Sequence, residues 1–150
     1  MGGHWLAGGG VVALWVGVGV WSVWPVSASG YEQRAVAAAQ EASSAVGTTL
    51  IVVDAQADDR LVPPYTATIL TEQRQAAATA VQELLSLQVP DDAAAAVRAE
   101  LGPQLTAASD GITVVEAALS AGQPDTAQSA AHELTVVQES LDDFVSEHQS

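Results

Sequence analysis

The chain has no cysteine, no lysine, one methionine at position 1 and one phenylalanine, Phe144. Without cysteine there can be no disulfide, no thiolate nucleophile and no Cys-ligated zinc, a composition that fits an exported protein. A haem held between methionine and histidine is excluded as well, because Met1 precedes the apolar N-terminal tract. Basic residues are few. Arg34, Arg60, Arg74 and Arg98 face 18 carboxylates, all of them between Glu32 and Glu147, and the net charge is −14. A chain of this charge repels nucleic acid and anionic lipid, so no nucleic-acid partner is expected. Beyond residue 24 the only aromatics are Tyr31, Tyr65 and Phe144, which leaves little material for an aromatic ligand pocket or a hot-spot-rich interface.

What is abundant at the start of the chain is tryptophan. Trp5, Trp15, Trp21 and Trp24 all lie in one tract, Trp5 to Trp24, that carries no charged side chain. Its 20 residues make a helix of about 30 Å, the thickness of a bilayer's hydrocarbon core. The tract therefore reads as an uncleaved transmembrane anchor in contact with membrane lipid through residues 5–24. Trp5 sits at one interface and Trp21 with Trp24 at the other, while Trp15 falls near mid-membrane, outside this pattern. The alternative is a cleaved secretory signal. Val26-Ser27-Ala28 ahead of Ser29 is an acceptable cleavage site, but the four residues before the tract contain no Lys or Arg and the tract exceeds the usual apolar core of about 7–15 residues. Gly9, Ala13 and Gly17 have the small-xxx-small spacing that lets membrane helices approach, and form a candidate helix-association face; ordinary lipid-facing small residues are the simpler explanation. A short tail ahead of a signal-like segment places the acidic part outside the cytoplasm.

Residues 1–25 are thus expected to be the anchor or signal segment, 26–30 a neck and 31–150 an acidic domain of about 120 residues, enough for one modest core. Ser29 with Glu32 has the spacing of a capping box. From Val36, apolar and small residues recur at threes and fours through Ala39, Ser43, Val46, Leu50, Val53 and Ala57, one stripe of a helix that Pro63-Pro64 stops. A second stripe runs through Leu70, Gln73, Ala77, Ala80, Leu84 and Leu87 and ends before Pro90. The third begins near Asp91 and continues through Ala94, Val97, Leu101, Leu105, Ala108, Ile112, Val115 and Leu119. Gly102-Pro103 interrupts this run without a loss of phase, which predicts a kink. The fourth starts at Pro124 and uses Ala127, Ala130, Leu134, Val137, Leu141 and Phe144. Thr48–Val53 is rich in β-branched residues, yet no partner strand is evident, and a lone strand cannot satisfy its backbone. The expected fold class is all-α: one N-terminal transmembrane or signal-like helix, then an antiparallel up-down-up-down four-helix bundle with helices at about 31–61, 66–88, 91–121 and 124–148.

Chemistry is hard to find. There is no Glu-x-x-His pair of the di-iron bundle type, and no Gly-x-Ser-x-Gly elbow. His132 and His148 are sixteen residues apart on one helix, too far to share a metal. No catalytic, cofactor-binding or metal-binding residue is therefore assigned, and the chain is read as a non-enzyme. Two acidic groups stand out, Asp54 with Asp58 and Asp59, and Glu139 with Asp142, Asp143 and Glu147. Carboxylates at helical spacing repel one another slightly and usually form a solvated face; the sharper reading is a docking surface for a basic partner or a weak site for divalent cations, which prefer several oxygen ligands. Pro63-Pro64-Tyr65 is expected to be a turn into a helix, with Tyr65 covering one end of the bundle. The functional expectation is a membrane-anchored extracytoplasmic interaction or scaffold module of the cell envelope, with a membrane or envelope protein as partner. The alternative is a bundle that binds a small ligand or a divalent cation, possibly secreted after cleavage.

Overall fold

The computed structural model describes residues 27–149, and these form four helices with no strand among them. The expected span at residues 5–24, with Trp5, Trp21 and Trp24 and the Gly9, Ala13, Gly17 face, lies outside the described residues. Helix α1 covers Ala28–Ala57, α2 Pro63–Ser86, α3 Asp92–Ser120 and α4 Pro124–His148.

The ends of these helices follow from local chemistry. Ser27 caps α1: its backbone is extended and its hydroxyl accepts from the Gly30 amide at 3.3 Å. The cap thus falls two residues before Ser29, and the helix starts inside the expected neck. At the other end α1 stops at Ala57, well short of the prolines, because Asp59 turns the chain with a left-handed φ of 53°. The Arg60 amide then reaches the Ala55 carbonyl and the Asp59 amide the Gln56 carbonyl, the paired bonds of a Schellman turn. Pro63 and Pro64 start α2 in positions where a helix has no intrahelical use for an N–H. Asp91 caps α3 through the Ala94 amide at 2.8 Å. That helix runs unbroken through Pro103. Gly102 helps here, since a residue without Cβ avoids the clash that proline imposes on a helical predecessor. A second Schellman turn closes α3, with Gly122 at φ 68° and the Gln123 amide bonded to the Ala118 carbonyl. The β-branched stretch stays helical, and the Thr48 and Thr49 hydroxyls donate to the Ser44 and Ala45 carbonyls.

Where two helices touch, the contacts advance along one as they retreat along the other. Gln56 meets Thr66, Arg74 meets Glu116, Ser43 meets Asp142, and the Arg98 guanidinium donates to the Leu85 carbonyl. Sequential helices are therefore antiparallel neighbours. Helices α1 and α3 touch across the short diagonal, whereas α2 and α4 do not meet. Helix α1 buries far more than the one stripe expected of it. Tyr31, Ala35, Ala38, Ala42, Ala45, Thr49 and Val52 are buried beside Val36, Ala39, Ser43, Val46 and Val53; like α3 it contacts all three other helices, and its many small side chains let more of its surface pack against them. Ala57, at the end of the expected stripe, is exposed.

By length and composition α1 is the one described helix apolar enough to cross a membrane. A core helix passes the same test, and here twelve of its 30 residues are buried inside the bundle.

Candidate functional site

Two helix-to-helix turns, Asp58–Val62 and Ala121–Gln123, lie at the same end of the bundle, and a cavity of about 550 Å³ opens between them. All four helices contribute. Val53 from α1 and Leu70 from α2, both almost fully buried, make the apolar floor with Leu119 of α3. Pro63 and Pro124, the first residues of α2 and α4, stand at the sides. The polar side chains are amides and hydroxyls: Gln56, Thr66, Ser120, Gln123 and Gln128. Thr66 is 4% exposed and donates its hydroxyl to Gln56 Oε1 at 2.9 Å, so the Gln56 carboxamide is held in place with its NH₂ group left as donor. Asp59 is the only ionisable residue of the lining.

Of the acidic residues expected to form a docking surface, the structure divides the two groups between opposite ends of the bundle. Asp54, Asp58 and Asp59 lie at the cavity end, on and just after the last turns of α1. Glu139, Asp142, Asp143 and Glu147 lie on the exposed side of the C-terminal half of α4, which packs beside the first half of α1. Asp142 accepts from the buried Ser43 hydroxyl at 2.6 Å and so ties α4 to α1. Asp58 pairs with exposed Arg60. Within the first group only Asp59 lines the cavity, a distinction its position in sequence does not reveal. Neither group forms a cluster of three or more ligands able to hold a metal ion, and no such cluster occurs among the described residues. Tyr65, expected to cover a bundle end, is 58% exposed.

At the opposite end Tyr31 is fully buried, and its hydroxyl has no hydrogen-bond partner. Burial raises its pKa above 10.0, with the positive charge of Arg98 opposing the shift. Nearby on α1, the Glu41 carboxyl is pushed above its usual 4.5, first by desolvation and then by repulsion from Glu83 of α2. Phe144 stacks on His148 with ring centroids 4.1 Å apart, and His132 is exposed. His132 and His148 stay apart, and among the described residues neither meets a serine through a hydrogen bond. Compared with protein-family models, with curated proteins and with solved structures, the chain matches none.

Apart from Asp59, the polar residues of the cavity carry no signal in the sequence. Gln56, Thr66, Gln123 and Gln128 come from three helices and a turn, and glutamine carries no spacing signature. The one local clue is Asp59 itself, a non-glycine residue in the position that glycine, as Gly122, occupies in the other turn.

Proposed function

We propose that the chain is a membrane-anchored, extracytoplasmic helical bundle acting as a non-enzymatic interaction or scaffold module of the cell envelope, with a basic protein surface as its partner. The observation that supports this best is the disposition of charge. No carboxylate is buried among the described residues, and two of the four arginines pair with carboxylates of the same chain, which leaves a surface dense in unmatched negative charge. Such a field steers a positively charged partner and repels anionic lipid. Because α1 begins at Ala28, few residues separate it from the expected span. The α1 N-terminal end of the bundle would then stand against the membrane, and the cavity end at the far side of a helix of 30 residues, about 45 Å away.

The absence of lysine makes the test sharp. Carbodiimide joins carboxylates directly to amines, so a crosslink from this chain to a lysine identifies another protein. In native membranes it is expected to capture one reproducible lysine-bearing partner, lost when Glu139, Asp142, Asp143 and Glu147 are changed together to their amides. Recovery of the full chain in the soluble fraction without detergent, or capture unaffected by the amide changes, overturns the reading.

A further inference from the structure

We propose that the cavity between the two turns is a binding site for a small aliphatic amine, with Asp59 receiving the ammonium group and Val53, Leu70 and Leu119 receiving the carbon chain. This site is independent of any protein partner. The volume, about 550 Å³, falls within the range of small-ligand sites, which are mostly apolar with a few convergent polar groups. The lining has that division: a floor of aliphatic side chains, Val53 and Leu70 nearly buried and Leu119 partly so, and an upper ring of carboxamides, hydroxyls and one carboxylate.

The sign of the ligand's charge follows from the ring. Among the lining residues Asp59 alone is ionisable, and the arginine next to it in sequence is engaged by Asp58. No cationic side chain lines the cavity to receive an anion. An ammonium bonded to the Asp59 carboxylate would find further acceptors in the carboxamide oxygens of Gln123 and Gln128 and the hydroxyl oxygen of Ser120. With no aromatic side chain in the lining, a quaternary ammonium has no aromatic cage, so a primary amine with its three donors is the better match.

The second, separate observation is conformational. Asp59 holds a left-handed backbone at φ 53°, a region that L residues other than Asn and Asp rarely visit. Gly122 fills the same place in the other Schellman turn at φ 68°. Both turns line the cavity, and one of them keeps a carboxylate at a position where glycine is less strained.

The test measures the melting temperature of the full-length chain in neutral detergent with hexylamine, hexanol and hexanoate at matched ionic strength, and with ammonium chloride as the charge-only control. Hexylamine is expected to raise the melting temperature by about 5 °C at roughly ten times its Kd, and to go on raising it with the logarithm of its concentration. Hexanol should act more weakly, and hexanoate and ammonium chloride should not act. Asp59→Asn, which keeps a residue tolerant of the left-handed backbone, should remove the advantage of hexylamine over hexanol. Asp54→Asn, at an exposed carboxylate outside the lining, should keep it. Equal shifts from hexylamine and hexanol, equal loss in both variants, or no shift with hexylamine would each overturn the assignment, and none of these results bears on the crosslinked partner.

Discussion

Replacing Gly111 with alanine should destabilise the bundle, although alanine is the better helix former. A Cβ at Gly111 would lie 2.5 Å from Leu134 Cδ2 and 2.9 Å from its Cγ. Leu134 is 1% exposed and sits in the core, so it cannot swing into solvent. Either α3 and α4 separate or Leu134 leaves its rotamer, and overpacking of this kind costs about 1–3 kcal/mol. The gain from placing alanine in a helix interior is about 0.5–1 kcal/mol. The clash wins, and the net loss should be about 1–2 kcal/mol, or roughly 4–8 °C in melting temperature for a domain of this size. Gly47 is the matched control. Its Cβ would meet only the Gln138 carboxamide nitrogen at 3.0 Å, the far end of a flexible, half-buried side chain. Gly47→Ala should therefore leave stability unchanged or raise it by up to about 1 kcal/mol. Thermal unfolding followed by far-ultraviolet circular dichroism on the full chain reads both. A cycle with Leu134→Ala adds a direct check: the leucine truncation alone costs about 2–5 kcal/mol, and in the Gly111→Ala background it should cost at least about 1 kcal/mol less, because the new methyl occupies vacated space. If Gly111→Ala stabilises as Gly47→Ala does, the close approach of α3 to α4 is wrong.

Tyr31→Phe removes a buried hydroxyl that has no partner and should raise stability by about 1 kcal/mol in denaturant titration. The raised phenol pKa means that the native state keeps its proton longer than the unfolded chain, so wild-type stability should fall as pH rises above 10.0, and the phenylalanine variant should show a shallower fall. Glu41 follows the same sign: its contribution is complete below 4.5 and is lost as pH rises through the higher native value, so the stability difference between Glu41→Gln and the wild type should change over that pH range, the wild type gaining relative to the variant as pH falls. Gly122→Ala forces a side chain into the left-handed region and should cost about 1–2 kcal/mol, while Asp59→Gly should stabilise by a few tenths of a kcal/mol or more; urea midpoints of the two variants moving in the same direction would contradict the turn geometry.

The regular part of the fold was legible because helical periodicity is written locally. Leu70, Ala77, Ala80 and Leu84 on α2, and Leu101, Leu105, Ala108, Ile112 and Val115 on α3, are spaced at threes and fours and are buried as expected. Pro124 and Asp91 mark helix starts by chemistry that acts within one turn. The exit from α1 was misplaced because a left-handed Asp59 has no strong compositional signal, whereas Pro63-Pro64 does. Tyr65 was expected at an end of the bundle, but the first turn of α2 carries it outward into solvent. The candidate site was partly visible, through Asp59 as a member of an acidic group, and otherwise hidden. Its partners Gln56, Thr66, Gln123 and Gln128 are ordinary surface residues until two turns bring them to one mouth.

By itself the sequence determined that the part beyond residue 30 makes four amphipathic helices, that this part carries all of the acidic charge, and that no familiar catalytic or metal-binding motif is present. Each of these depends on composition or on neighbours within a turn or two. Only the tertiary structure decided that α1 lies against three helices, that Gly111 admits Leu134, and that Asp59 stands over a cavity while Asp58 faces solvent. The physical reason is that a repeat of 3.6 residues specifies which face of a helix is apolar, but not how closely that face approaches another or what space their ends enclose.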